Sequence, residues 1–106
     1  MAANRRIVTE TGITVAFGSV GAAYSTLIGP IAGRGVTIVI TNSLNGDAII
    51  SLDGGTTQFI ELPAGHGLTL DLGANGDEYS GTISVKRGTS GASTAGFISA
   101  GVIRVN

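Results

Sequence analysis

The chain predicts an all-β fold, a small antiparallel β-sandwich, with a jelly roll among the forms it allows, and an extended N-terminal arm. Three observations predict it. Apolar and polar residues alternate with a period of two over short runs, as in strands with one face on a core. The runs are separated by turn residues, and glycine supplies 18 of the 106 residues with no collagen period. No window carries an apolar stripe at i, i+3, i+4 and i+7 behind a cap, so no helix is expected. One domain fits this length. The expected organisation is an arm over residues 1–11 and a single sandwich over residues 12–106.

In chain order, residues 1–11 are polar, with a small basic patch at Arg5 and Arg6, and Ile7 and Val8 able to begin a strand. The end of this arm is expected to be mobile. Gly12–Phe17 alternates Ile13, Val15 and Phe17 on one face and reads as a strand. Tyr24–Ala32 is apolar but interrupted at Gly29-Pro30, which predicts an edge strand or a kink, because proline cannot donate to a ladder. The centre, Gly35–Leu72, reads as an antiparallel meander. Val36, Ile38 and Ile40 face one way, then Ala48, Ile50 and Leu52, then Leu68, Leu70 and Leu72. Asn45-Gly46 predicts a type I′ hairpin turn, in which both central residues need a positive φ. Asn75-Gly76-Asp77 repeats that turn triplet. Gly81–Val85 is a further strand, Gly88–Gly96 a flexible Gly/Ser/Thr surface loop, and Phe97–Val105 one strand or two short ones. The expected core is Val36, Ile38, Ile40, Ile50, Leu52, Phe59, Leu68, Leu70, Ile83 and Val85.

Composition narrows function mostly by exclusion. There is no cysteine, so neither a disulfide framework nor a thiolate metal site is available. Charged residues are 12% of the chain, about half the usual ~25%. The six Lys and Arg residues are scattered against seven acids, so no basic stripe points to nucleic acid. The longest apolar run is far too short to span a bilayer as a helix. The N-terminal MAANRRIVTET has no apolar h-region, so no secretion signal is expected. Five aromatic residues and no tryptophan leave little for a stacking platform after the core is served.

No catalytic, metal or cofactor residues are expected. The single histidine, His66, sits in a Gly-rich turn, and no Gly-x-Ser-x-Gly elbow accompanies it. Asp47, Asp53 and Asp77 sit in turns, where such side chains hold their own backbone. Calcium would need several acids in one short loop. What remains is an interaction role, since small residues, many strand edges and few charges favour close packing between chains.

Four stretches carry a resemblance: Ile49-Ile50-Ser51-Leu52-Asp53-Gly54-Gly55, Leu62-Pro63-Ala64-Gly65, Leu68-Thr69-Leu70-Asp71-Leu72 and Ile83-Ser84-Val85-Lys86. Over about Gly35 to Lys86 the chain resembles small structural proteins of tailed bacteriophages, which decorate capsids or sit at the head–tail junction. The resemblance implies a non-enzymatic β-sandwich protein of the virion, made in the host cytoplasm and carried on the capsid surface. Its partner would be the major capsid protein. It also implies a homo-oligomer, with a trimer favoured, and neither nucleic acid nor membrane as a partner. Arg5, Arg6, Ile7 and Val8 are the arm residues expected to reach the shell, the arginines pairing with acids there. A head–tail connector or tail ring, and a glycan-binding sandwich, are the alternatives.

Overall fold

The computed structural model describes residues 7–9, 13–31, 34–72, 79 and 81–105. Among them run β1 (Ile7–Thr9), β2 (Ile13–Ala16), β3 (Ser25–Ile28), β4 (Arg34–Asn42), β5 (Ala48–Ser51), β6 (Ile60–Leu62), β7 (Gly67–Asp71), β8 (Ile83–Arg87) and β9 (Phe97–Val105). A single 3₁₀ turn, Phe17–Ser19, follows β2. All pairings between strands are antiparallel.

The strands form two sheets. Sheet A has the order β1-β9-β4-β7, with β2 also on β9, and sheet B the order β3-β8-β5-β6. β4 occupies one side of β9 along most of its length, so β1 and β2 share the other side, against residues 103–105 and 97–100. Counted as one edge, they make eight rows. Sheet A then takes the first, eighth, third and sixth rows, and sheet B the second, seventh, fourth and fifth. That is the strand order of a jelly roll.

A simple folding plan underlies it. Ile13 lies opposite Ala100, Ser25 opposite Val85, Thr37 opposite Asp71, and Ala48 opposite Leu62. All four ladders are centred within about two residues of Gly55. The chain is one long hairpin with its tip at the Asp53–Thr57 turn, rolled up so that β4 meets β9 and β5 meets β8.

The expected central meander is therefore corrected. β4 and β5 do not pair; the chain crosses from sheet A to sheet B between them, and β7 returns to β4. Asn45-Gly46 is not a type I′ turn, since neither residue has a positive φ. Leu44, buried within this connection, draws the chain down between the sheets.

The core lies between the sheets. Ile38 and Ile40 of β4 stand beside Val102 and Ala100 of β9 and face Leu27, Ile50, Ile83 and Val85 of sheet B. Of the expected core, Ile38, Ile40, Ile50, Ile83 and Val85 are fully buried, while Leu52, Leu68 and Leu70 pack against the core only partly covered. Val36 is half-buried. Phe59 is a correction: it is 46% exposed, because Ile60 beside it takes the inward position of β6. Truncating Ile38 to alanine should cost about 2–5 kcal/mol in urea unfolding. Phe59→Ala should stay within about 0.5 kcal/mol.

β5 also departs from simple alternation, because all four of its residues are buried. Ile49 stands in register between Glu61 and Lys86, whose methylene stems can cover it. The Ser51 hydroxyl is engaged by the turn that follows.

Candidate interaction surfaces

The β2–β3, β4–β5, β6–β7 and β8–β9 connections meet at one end of the sandwich, and hydrogen bonds fix them to one another. Asn42, fully buried at the end of β4, is the hub. Its Nδ2 donates to the carbonyls of Leu62 at 3.0 Å, Gly46 at 3.1 Å and Pro63 at 3.3 Å, and its Oδ1 accepts from the Leu44 N–H at 3.0 Å. Asn45 holds the next layer, accepting from the Thr94 and Ala95 N–H groups and donating to the Thr94 hydroxyl. Glu61 Oε2 accepts from both the N–H and the hydroxyl of Thr89. The Gly88–Gly96 segment, expected to be a flexible loop, is thus tied down from Thr89 to Ala95.

The opposite end is built around Asp53. Its Oδ1 accepts from the Ser51 hydroxyl at 2.7 Å and from the N–H groups of Thr57 and Thr56 at 2.8 and 3.1 Å. The Ser51 hydroxyl bond first, then the Thr57 backbone, holds this carboxyl down at about 2. Tyr79 donates its hydroxyl to the Leu52 carbonyl, and burial, with the Asp53 charge second, pushes its ionisation up. Asp53 is more acidic folded than unfolded. Its contribution is therefore complete above about pH 4 and is lost as pH falls towards 2. Urea midpoints measured between pH 5 and 2 should fall less steeply for Asp53→Asn than for the native chain.

Among the described residues neither end assembles a reactive cluster. His66 is exposed, with Nδ1 3.1 Å from the Ala64 carbonyl oxygen. Among the described residues no three His, Asp or Glu side chains stand close enough to hold a metal ion. No helix among them is long and apolar enough to cross a membrane.

The two outer sheet faces differ in charge. On sheet B, Lys86 lies over the Tyr24 ring, 4.6 Å from its centroid, and Glu61 binds Thr89. On sheet A, the register sets Thr14, Ser99, Thr41 and Gly67 in one row across the strands, and Gly101, Val39 and Thr69 in the next. Val39 is 42% exposed. A shallow hollow of about 350 Å³ lies over these rows. The described residues of these two rows carry no charge, and Asp71 stands one row further along β7, opposite Thr37.

Of the expected arm residues, Ile7 and Val8 lie in β1, opposite Val105 and Arg104 of β9. Arg5 and Arg6 fall outside the described residues, as does Asn75-Gly76-Asp77. Reading the chain by its motifs did not single out Asn42. The signal was present, because Asn42 continues the inward series of Ile38 and Ile40, and a polar residue in an inward position must find partners. No protein-family model matches the sequence, and no curated protein sequence matches it.

Proposed function

We propose that this is a non-enzymatic structural protein of a phage virion, a decoration or cement protein that lays the outer face of sheet A on the major capsid protein. The observation that carries the reading is that face. It is a regular surface of Thr, Ser, Gly and Val with almost no charge to desolvate, on a sandwich whose connections are pinned by hydrogen bonds. Charge is depleted at the centre of protein interfaces in the same way. Jelly rolls serve viral coats, lectins and cupins alike, so the fold does not choose among them; the uncharged face and the resemblance are what support the coat reading. Arg5 and Arg6, ahead of β1, would pair with acids on the shell, and further copies of the chain would complete the assembly, three in the arrangement the resemblance implies.

The test is co-sedimentation with heads assembled from the major capsid protein. The native chain should pellet with the heads, and Val39→Asp should remain in the supernatant with an unchanged melting temperature. Removing residues 2–6, which leaves β1 whole, should weaken binding. No pelleting of the native chain, or equal pelleting of Val39→Asp, would overturn the reading.

One feature favours a second reading. The exposed Phe59 borders a hollow of about 200 Å³ with Thr57, Gln58 and Asp53, an aromatic beside polar groups, which is what a glycan-binding sandwich needs. Glycan-array binding that disappears in Phe59→Ala would support it, and an array without a hit would remove it.

A further inference from the structure

An edge strand presents backbone donors and acceptors that can template another strand, and folded proteins blunt such edges. The described residues form four. β6 is three residues long, with Glu61 at its centre and Pro63 at its exit. The β3 ladder is irregular between Thr26 and Ile28, and Gly29-Pro30 follows. The β1–β2 edge steps out of register by one residue. β7 has fewer of these devices, its one charge being Asp71 at its end. It pairs with β4 through five successive residues without a break and contains neither proline nor lysine. Among the described residues no strand lies on its outer side.

The ladder shows which groups face outward. The Leu72 N–H donates to the Val36 carbonyl, and the Asn42 N–H donates to the His66 carbonyl. By antiparallel alternation, Leu68 and Leu70 also direct their backbone groups at β4, and Gly67, Thr69 and Asp71 direct theirs away from it. A second observation concerns the core. Leu68, Leu70 and Leu72, with Ile60 of β6, pack against the core but stay partly exposed, whereas Ile38, Ile40, Ile98 and Val102 of the central strands are covered. The core reaches the surface along the side that β6 and β7 share.

We infer that β7 pairs antiparallel with β7 of a second copy of this chain, across a twofold axis at Thr69. The segment Gly67-Leu68-Thr69-Leu70-Asp71 suits that symmetry. Thr69 faces its own counterpart, and Gly67 faces Asp71; in each such pair two N–H···O bonds are exchanged. Leu68 lies opposite Leu70, which covers the leucines that the single chain leaves half bare. The two Asp71 residues are not opposite each other, so no like-charge pair opposes the contact. The axis is perpendicular to the sheet, so both outer faces of sheet A fall on the same side, and the uncharged surface doubles in width. The inference goes beyond the virion reading and stands without it. It makes pairs, where the resemblance implies a trimer.

The chain contains no cysteine, so Thr69→Cys carries the sole thiol. In a hydrogen-bonded antiparallel pair the Cα atoms are about 5.5 Å apart, within disulfide range. Mild oxidation should convert Thr69→Cys to a covalent dimer, while Thr41→Cys, equally exposed but on the central strand β4, should not react. In light scattering, the native mass should rise with concentration towards twice that of the chain. Thr69→Pro removes a donor that β4 does not use. It should raise the dimer dissociation constant about tenfold or more, with an unchanged far-UV spectrum. A monomer at every concentration, a trimer whose mass Thr69→Pro leaves unchanged, or equal cross-linking of the two cysteine variants would overturn the inference. None of these outcomes bears on head binding, which the co-sedimentation test decides separately.

Discussion

Asn42→Ala should lower stability by about 3–5 kcal/mol. The Asn42 amide donates to three carbonyls and accepts one N–H. Two of these partners, the Leu62 carbonyl and the Leu44 N–H, belong to buried residues and have no ready access to water once the amide is gone. Each buried orphan costs about 1–3 kcal/mol, and the missing side-chain volume adds a cavity term. For a domain of this size the loss corresponds to a drop of about 15 °C in melting temperature. The effect should extend beyond one turn, because Asn42 links the exit of β4 to the entry of β7. Its own N–H donates to His66, and its carbonyl accepts from Gly65.

Asn42→Asp separates hydrogen bonding from volume. The replacement keeps the acceptor for Leu44 but turns a carboxylate towards three carbonyl oxygens. Burial among those dipoles raises the introduced acid above its unfolded value of about 3.9. An acid raised in the fold destabilises increasingly as pH rises past the unfolded value. The deficit of Asn42→Asp relative to the native chain should therefore shrink as pH falls from 7 to 4. A deficit that is constant over that range would mean that packing, not the donated bonds, is what Asn42 supplies.

Asn42 also shows where sequence reasoning stops. Alternation located β4, β7, β8 and β9 well, because a half-buried strand must place its apolar residues on one side. It could not say which strand each one meets. The ladders β1·β9 and β3·β8 join residues far apart in the chain, and nothing local to either strand encodes its partner. The Asn45-Gly46 dipeptide misled for a definite reason. A type I′ hairpin is one use of Asn-Gly, but here Asn45 supplies side-chain bonds to Thr94 and Ala95. A Cβ at Gly46 would stand 2.9 Å from the Ser93 hydroxyl oxygen, so the Ser93 side chain would have to turn away. Both residues serve a contact with the β8–β9 segment. Phe59 was misplaced because large apolar residues usually turn inward, yet Ile60 already fills the inward position of β6. The candidate interaction face was legible only as an excess of Thr, Ser and Gly with few charges. Its rows come from the register.

Gly96→Ala should be the most damaging glycine substitution at this end of the sandwich, at about 3–4 kcal/mol, and it can be compared with a matched control. Gly96 has φ +95°, and a Cβ there would lie 2.1 Å from the Ser43 carbonyl oxygen and 2.9 Å from the Leu44 Cα. These are backbone atoms, so relief requires moving the β4–β5 connection away from the entry of β9. Two hydrogen bonds bracket the contact, Phe17 N–H to the Gly96 carbonyl at 3.1 Å and Ser43 N–H to the Phe97 carbonyl at 2.9 Å. Gly54 also has a positive φ, +75°, but nothing lies within 4 Å of its Cβ position. Gly54→Ala should therefore show backbone strain alone, about 1 kcal/mol. The difference between the two variants in urea unfolding measures how closely the strands approach. Displacing Ser43 and Leu44 should also loosen Asn45 from Thr94, so the amides of Thr94 and Ala95 should exchange with solvent faster in Gly96→Ala and not in Gly54→Ala. Equal losses for the two variants would mean that the end of the sandwich yields easily, and would remove the case for connections held rigid beside the proposed capsid-facing surface.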